Sequence, residues 1–228
     1  MKVAILQFPG SNCDWDAEHS VKDVLGIPAR RIWHKDRLPA ETEAVIVPGG
    51  FSFGDYLRCG AIARFSPITS DLQKFADRGG QVLGICNGFQ ILCEAGLLPG
   101  ALIRNDCLEF RCKNQFLETE DSDDRFNRSV LGPSLSLPIA HGEGNYRAKD
   151  STLRDLESNK QVLFRYEENP NGSVNDIAGI RNRRGNVYGM MPHPERAVET
   201  YHPSFDGLAV LKAFLKPILS GKSVEVTK

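Results

Sequence analysis

Residues 82–90 (VLGICNGFQ) contain a cysteine in a setting typical of nucleophilic catalysis. Cys86 follows a short apolar run and precedes a predicted helix, with Gly84 two residues before it and Gly88 two residues after it. This spacing is typical of a nucleophile elbow, a tight turn that pushes the side chain out of the sheet edge. The helix N-terminus there favours a thiolate, and the N–H of Asn87 can stabilise an oxyanion. Cys86 is therefore the candidate nucleophile, with a buried structural cysteine as the alternative.

A thiolate that attacks a carbonyl needs a general acid-base and a group that orients it, and two His-x-Glu pairs could supply both. Residues two apart in extended chain point to the same side, so His141 could pair with Glu143 and His193 with Glu195. The second pair follows an apolar predicted strand (VYGMM), and a proline on each side of His193 restricts its backbone. We favour the second pair and keep the first as the alternative.

Cys13 is a rival thiol, because it also follows a predicted strand near the start of a helix. It lacks the flanking glycines of an elbow, and we rank it far below Cys86. None of the six cysteines forms a C-x-x-C pair, which favours reduced thiols over a disulfide framework or a zinc site.

The elements that must position these residues alternate between short strands and helices. Buried strands, each ending in a glycine-containing turn, are predicted at residues 3–8, 44–47 and 81–85. Helices are predicted from a cap at Ser11 or Asn12 to Gly26, around residues 72–76 and over residues 87–95. This alternation predicts an α/β fold with a mostly parallel open sheet flanked by helices. Sites in such sheets gather beyond the carboxyl ends of the strands.

The second half of the sequence is less regular. Four features are predicted there: a half-exposed strand over residues 108–112, a solvated acidic loop over residues 118–124, a hairpin formed by residues 176–182 and 186–191, and an amphipathic helix over residues 205–219. The length of 228 residues predicts a single domain over the whole chain, with an ordered core from about residue 2 to residue 220 and a short C-terminal tail.

Composition excludes several classes of function. The 28 lysines and arginines nearly balance the 29 aspartates and glutamates, and this balance argues against nucleic-acid binding. The apolar runs fall short of a membrane helix, and the N-terminus does not look like a signal peptide, so we expect a cytoplasmic protein. The sequence has no G-x-G-x-x-G or Walker-type phosphate loop, which indicates that this chain does not itself bind ATP.

Two motifs resemble those of the class I (triad) glutamine amidotransferases. Residues 84–90 (GICNGFQ) fit the G-x-C-x-G-x-Q signature, and residues 193–195 fit the H-P-E signature. Four further segments resemble the glutaminase subunits of phosphoribosylformylglycinamidine synthase: residues 8–14 (FPGSNCD), 48–64 (PGGFSFGDYLRCGAIAR), 140–144 (AHGEG) and 191–197 (MPHPERA). The resemblance thus extends over nearly the whole chain and implies a flavodoxin-like fold.

The resemblance also implies roles for the candidate residues. Cys86 would attack the side-chain amide of glutamine, His193 would act as general acid-base, and Glu195 would orient the histidine. Ammonia would leave, and water would hydrolyse the resulting thioester to glutamate.

Five further positions receive a role from the resemblance or from their place beside these motifs. The backbone N–H groups of Gly50 and Asn87 would form the oxyanion hole, and Gln90 would help to hold the substrate. His141 and Glu143 would line the glutamine pocket or face a partner, although a glycine-rich turn explains their segment nearly as well.

The resemblance finally implies a complex. Its other members would be a large formylglycinamidine ribonucleotide synthetase subunit, which uses ATP and magnesium, and a small accessory subunit. We expect no cofactor or metal in this chain. We also expect low activity in isolation, with the adjacent glycines Gly49 and Gly50 as a switch at the oxyanion hole. A stand-alone thiol hydrolase and a non-catalytic scaffold remain the alternatives.

Overall fold

The computed structural model describes residues 1–55, 58–121 and 125–221. The strands are β1 (Val3–Gln7), β2 (Ala29–Trp33), β3 (Ala44–Val47), β4 (Gln81–Ile85), β5 (Ala101–Ile103), β6 (Arg111–Thr119), β7 (Ser134–His141), β8 (Asn145–Arg147), β9 (Val162–Tyr166), β10 (Ile177–Arg181) and β11 (Val187–Met190). The α-helices are α1 (Asp14–His19), α2 (Pro67–Asp77), α3 (Asn87–Glu94), α4 (Arg128–Leu131), α5 (Asp150–Ser158), α6 (Asp206–Phe214) and α7 (Lys216–Leu219). The predicted tail lies outside the described residues apart from Gly221, as does part of the predicted acidic loop.

Nine of these strands form one mixed sheet in the order β2-β1-β3-β4-β11-β10-β9-β6-β7. The five strands from β2 to β11 are parallel and reproduce the 2-1-3-4-5 order of flavodoxin-like folds. The predicted parallel sheet is therefore confirmed. The four strands from β10 to β7 extend it in antiparallel fashion, and β5 pairs with β8 in a separate ribbon.

The central parallel strands consist of apolar residues because both of their faces are covered. Every residue of β3, β4 and β11 is buried. Gly84 in β4 lies beside Gly189 in β11. A Cβ on Gly189 would overlap the Phe89 ring, so this glycine makes the space in which α3 packs against the sheet. Among the described residues, no helix is both long and apolar enough to cross a bilayer.

The structure confirms most predicted elements and corrects some of their ends. The predicted cap at Ser11 or Asn12 is wrong, because α1 begins at Asp14 with Cys13 as its N-cap. The Ser11 hydroxyl instead accepts a hydrogen bond of 3.0 Å from the N–H of Phe8 and closes the turn after β1. The last predicted helix is present as α6 and α7, which Leu215 separates.

The predicted strand over residues 108–112 is largely wrong. Strand β6 begins only at Arg111, and Leu108 has a left-handed backbone with φ of 59°. Leu108 and Phe110 are exposed, so their alternation with polar residues does not reflect a buried sheet face. The hairpin predicted from residues 176–182 and 186–191 is confirmed by the antiparallel pair β10 and β11.

Candidate active site

A cavity of about 240 Å³ lies at the carboxyl ends of the parallel strands, where such folds place their sites. The segments that follow β1, β3, β4 and β11 meet there. Its lining includes Cys13, Gly50, Cys86, Ala140, His193 and Arg196. A larger cavity of about 550 Å³ opens beside α2, and its described lining contains neither a cysteine nor a histidine.

Cys86 occupies the predicted elbow between β4 and α3. Its backbone has φ of 51° and ψ of −107°, a conformation that costs free energy for any residue with a Cβ. The N–H of Cys86 donates a hydrogen bond of 2.8 Å to the carbonyl oxygen of Met190, which ties the elbow to β11. Its Sγ lies 3.7 Å from the carbonyl oxygen of Ala140. The surrounding contacts thus hold this strained residue with its thiol at the cavity wall.

The two glycines that flank the elbow are required by close packing. A Cβ on Gly84 would lie 2.7 Å from the carbonyl oxygen of Gly88, and a Cβ on Gly88 would overlap the carbonyl oxygen of Val47 in β3. Both backbone atoms lie in buried elements and have little room to move. The spacing that the sequence analysis singled out therefore lets α3 approach the sheet and place Cys86.

The substitution Gly88→Ala is expected to lower the free energy of unfolding by about 3 kcal/mol or more, because overpacking of a rigid core forces the backbone apart. Gly142→Ala is the matched control. A Cβ there would meet only Phe110 Cδ2, at an ordinary 3.7 Å, so its free energy of unfolding should change by less than about 1 kcal/mol. Urea unfolding followed by circular dichroism measures both changes. Equal changes in the two variants would contradict the packing argument.

His193 and Glu195 form the histidine–carboxylate pair that the sequence analysis favoured. Their Nδ1 and Oε1 atoms lie 2.6 Å apart, and both side chains are buried. Burial alone would lower the pKa of His193, but the Glu195 carboxylate and the Cys86 thiol outweigh it and raise that pKa well above its usual value. With Nδ1 bonded to the carboxylate, Nε2 is the ring nitrogen left to exchange protons.

The rival pair does not form. The ring of His141 is buried and directed at two amides, with Nδ1 3.2 Å from Asn105 Oδ1 and Nε2 3.4 Å from Asn171 Nδ2. Burial lowers the pKa of His141 to about 4, so the ring is neutral near pH 7. Glu143 instead accepts a hydrogen bond of 3.4 Å from the N–H of Cys59. The two His-x-Glu motifs have the same spacing in the sequence, but only His193 pairs with its glutamate.

The segment around His141 nevertheless borders Cys86. A small recess beside the main cavity is lined by Cys86, Gln90 and residues 140–143. Gln90 Nε2 donates a hydrogen bond of 2.6 Å to the carbonyl oxygen of Glu143, and its Oε1 accepts one of 2.8 Å from Asn87 Nδ2. Gln90 thus links α3 to this segment. Direct contact of Gln90, His141 or Glu143 with a substrate or partner stays a prediction.

Two backbone N–H groups are candidates for an oxyanion hole. Asn87 is the first residue of α3, so its N–H has no acceptor within the helix. Gly50 lines the same cavity as Cys86. The preceding carbonyl, of Gly49, accepts a hydrogen bond of 3.3 Å from the N–H of Cys13 and fixes the peptide that carries the Gly50 N–H. A Cβ on Gly50 would lie 2.7 Å from the backbone nitrogen of Asn12, which excludes larger residues.

Cys13 lines the same cavity as Cys86 and His193, which its sequence context did not indicate. Its Sγ donates to Asn12 Oδ1 at 3.1 Å and accepts from Arg196 Nη2 at 3.1 Å. Burial raises the pKa of the Cys13 thiol, while the proximity of His193 and Arg196 works against that increase. The sequence analysis did not single out Arg196, although a basic residue directly after the H-P-E motif is a visible signal.

One known protein family matches most of the chain. The CobB/CobQ-like glutamine amidotransferase domain family matches residues 1–207. The fold and the match together define the class of the protein as a glutamine amidotransferase.

Individual relatives narrow that class. The phosphoribosylformylglycinamidine synthase subunit PurQ of Synechococcus elongatus is 57% identical over 219 residues, which cover 96% of this chain and 99% of the relative. One chain in the structure of PurLQS from Thermotoga maritima has a TM-score of 0.86 and 41% identity, and the match covers 95% of this chain and 98% of that one. This chain therefore belongs to the PurQ family.

A more distant structure shows the fold alone. A glutamine amidotransferase from Thermotoga maritima has a TM-score of 0.59 at 14% identity, and the match covers 99% of this chain and 86% of that one. The two chains therefore share the layered architecture although most of their residues differ.

Proposed function

We propose that this chain is the glutaminase subunit of a phosphoribosylformylglycinamidine synthase. It hydrolyses glutamine to glutamate and ammonia and passes the ammonia to a synthetase that converts formylglycinamide ribonucleotide to formylglycinamidine ribonucleotide in purine biosynthesis. The observation that carries the proposal is Cys86, held in a strained elbow at a cavity that is also lined by His193, the partner of Glu195. The identity of 57% to a PurQ subunit supports the particular synthase.

The reaction follows from the positions of these groups. The Cys86 thiolate attacks the side-chain amide carbon of glutamine and forms a tetrahedral oxyanion. The imidazolium of His193 protonates the leaving nitrogen, so that ammonia departs and a γ-glutamyl thioester remains. Nε2 of His193 then takes a proton from water as the water attacks the thioester. Glutamate and the free thiolate are the products, and the net reaction consumes one water per glutamine.

The N–H groups of Gly50 and Asn87 would stabilise the oxyanion in both steps. Each such donor typically contributes about 10²–10³ in turnover, because it is aimed at charge that develops only in the transition state. Gln90 and the segment with His141 and Glu143 would shape the glutamine pocket, since they line the recess beside Cys86.

The partners in this proposal are the large synthetase subunit together with a small accessory subunit. ATP and magnesium would be used by the synthetase, and this chain would need no cofactor of its own. Phe51 and Phe110 support the proposal that a partner covers the cavity. Both residues line it, both are about half exposed, and their ring centroids lie 6.4 Å apart. Such an apolar rim suits a docking partner. The complex would act in the cytoplasm.

The proposal predicts partner-stimulated ammonia release. The chain alone should hydrolyse glutamine slowly, and addition of the large subunit, its nucleotide substrates and the accessory subunit should raise the rate by about tenfold or more, the size of a typical coupling free energy between sites. The Gly49–Gly50 peptide is the expected switch: its rotation would break the 3.3 Å hydrogen bond from the N–H of Cys13 to the Gly49 carbonyl, and glycine allows that rotation at low steric cost.

Coupled assays of glutamate and ammonia test this prediction, with Cys86→Ala as the control in every mixture. Full activity without partners would indicate a stand-alone thiol hydrolase and contradict both the complex and the switch. If the wild-type chain released no ammonia from glutamine even with its partners, a non-catalytic scaffold would be left as the function of the chain.

A further inference from the structure

Asn105 is a fully buried asparagine to which the proposed reaction gives no role. It lies in the connection between β5 and β6 and is 0% exposed, although residues 103, 104 and 106–110 around it are exposed. A buried side-chain amide is stable where its donors and its acceptor are bonded. The partners of this amide therefore show what its burial serves.

Most hydrogen bonds of Asn105 reach the connection between β7 and β8. Its Nδ2 donates to the carbonyl oxygen of His141 at 2.9 Å. Its Oδ1 accepts from the N–H of Gly144 at 2.9 Å and lies 3.2 Å from Nδ1 of the His141 ring. Its backbone N–H donates to the carbonyl oxygen of Gly142 at 2.9 Å. These contacts fix residues 141–144, the wall segment, along their whole length.

The same side chain also holds its own exposed loop. Asn105 Nδ2 donates a second hydrogen bond of 2.9 Å, to the carbonyl oxygen of Glu109, and the Asn105 carbonyl oxygen accepts one of 2.9 Å from the N–H of Leu108. Both polar atoms of the amide are thus bonded. Asn105 therefore joins two connections that lie far apart in the sequence.

The wall segment borders the nucleophile. Gln90 Nε2 donates to the carbonyl oxygen of Glu143 at 2.6 Å, and the recess beside Cys86 is lined by both residues. The recess shares Cys86 and Ala140 with the main cavity, so glutamine bound at Cys86 would reach it. Its volume is about 20 Å³. In so narrow a space the position of the wall matters, because misplacement by about 1 Å can cost an enzyme about 100-fold in rate.

We propose that Asn105 is a positioning residue for glutamine, one that holds the wall segment against Gln90 and Cys86 so that the substrate meets a preformed pocket. The inference rests on the proposed function. Asn105 lies outside the described lining of both the cavity and the recess, so it acts through the wall segment. Its loss weakens the binding of the substrate and of the transition state alike, which raises KM and leaves kcat unchanged.

Steady-state kinetics of the complete complex test this inference. Asn105→Ala should raise the KM for glutamine by about tenfold or more, because the groups of the wall segment lose a buried partner, and should change kcat by less than about twofold. A merely structural role would lower the fraction of active enzyme, and with it kcat, while KM stayed the same. Asn159→Ala is the matched control, because its amide donates to the Asp155 carbonyl at the end of α5, and both constants should be retained.

Asn105→Asp is the second variant, because alanine leaves a void at this buried position. Aspartate fills nearly the same volume and can still accept from the N–H of Gly144, but it cannot donate to the carbonyl oxygens of His141 and Glu109. It should raise KM by about tenfold or more as well. An unchanged KM in either variant, or a fall in kcat alone, would overturn the inference.

Alkylation of Cys86 in the complex, followed by mass spectrometry, gives a readout that does not depend on turnover. A diazoketone analogue of glutamine uses the pocket before it reacts, whereas iodoacetamide reacts with the thiol directly. Both Asn105 variants should slow the analogue by about tenfold or more and leave the iodoacetamide rate unchanged. Equal slowing of both reagents would overturn the inference, because the thiol and not the pocket would then have changed.

Failure of the proposed function would look different. The wild-type complex itself would then release no ammonia from glutamine, and the analogue would show no preference for Cys86. Failure of this inference alone leaves the wild type active and selective, with both Asn105 variants equal to it.

Discussion

Replacement of Cys86 by alanine in the complete complex is expected to reduce glutamine-dependent turnover by about 10⁴-fold or more, because removal of a covalent nucleophile abolishes the pathway itself. The variant should still fold, since alanine removes only Sγ, whose hydrogen bond to the Ala140 carbonyl is a weak one of 3.7 Å. Synthesis supported by added ammonia should survive, because only the glutaminase step is lost.

Cys107→Ala is the control for this experiment, since it removes an exposed thiol whose hydrogen bond to the carbonyl of Glu109 is a weak one of 3.8 Å. It should retain full turnover. If Cys86→Ala kept more than about a tenth of the wild-type rate, far above what a nucleophile deletion allows, the nucleophile would have to be another thiol in the cavity. Cys13 would then be the first candidate, because it lines the same cavity as His193.

The elbow could be predicted from the sequence because its determinants are local. A strand, a glycine on each side of Cys86 and a helix start are all visible within nine residues, and the structure places them as expected. The left-handed backbone of Cys86 and the close approach of Gly88 to β3 are the physical reason for this spacing. The parallel half of the sheet was predictable for the same reason, since its strands are continuous apolar runs.

The surroundings of the histidines could not be predicted in this way. His141 and His193 both precede a glutamate by two residues, yet only one pair forms. The difference arises from distant residues: Asn105 and Asn171 bind the ring of His141, while Glu195 binds that of His193. Spacing within the chain does not encode which side chains tertiary packing brings to a ring.

The sequence analysis ranked Cys13 far below Cys86 for the same reason, because local spacing does not show contacts between distant residues. Its contact with Arg196 joins residues 183 positions apart, which follow β1 and β11, two strands that β3 and β4 separate in the sheet. The failure at Leu108 has a related cause, because alternation of apolar and polar residues predicts a strand only if one face is buried. Leu108 and Phe110 are exposed instead.

The substitution Glu195→Gln should lower turnover by about 10²–10⁴-fold while leaving the fold intact. Glutamine has nearly the same shape, but its amide nitrogen can donate to Nδ1 of His193 and so favour the tautomer with the proton on Nε2. That tautomer cannot accept the proton of the attacking water. Glu199→Gln is the matched control. Glu199 lies four residues after Glu195, and its carboxylate pairs with His19 rather than with a residue of the described cavity lining, so the variant loses the same charge at a different place.

The pH dependence separates this orienting role from simple loss of packing. The Glu195 carboxylate is the main group that raises the pKa of His193 against the effect of burial. Catalysis needs the imidazolium to protonate the leaving nitrogen, so the rate falls as pH rises through that pKa. Removal of the carboxylate lowers the pKa, and the alkaline limb of the kcat–pH profile should therefore move to lower pH in Glu195→Gln and stay in place in Glu199→Gln. A reduced rate with an unmoved alkaline limb would mean that Glu195 contributes packing rather than charge, and that another group sets the protonation state of His193.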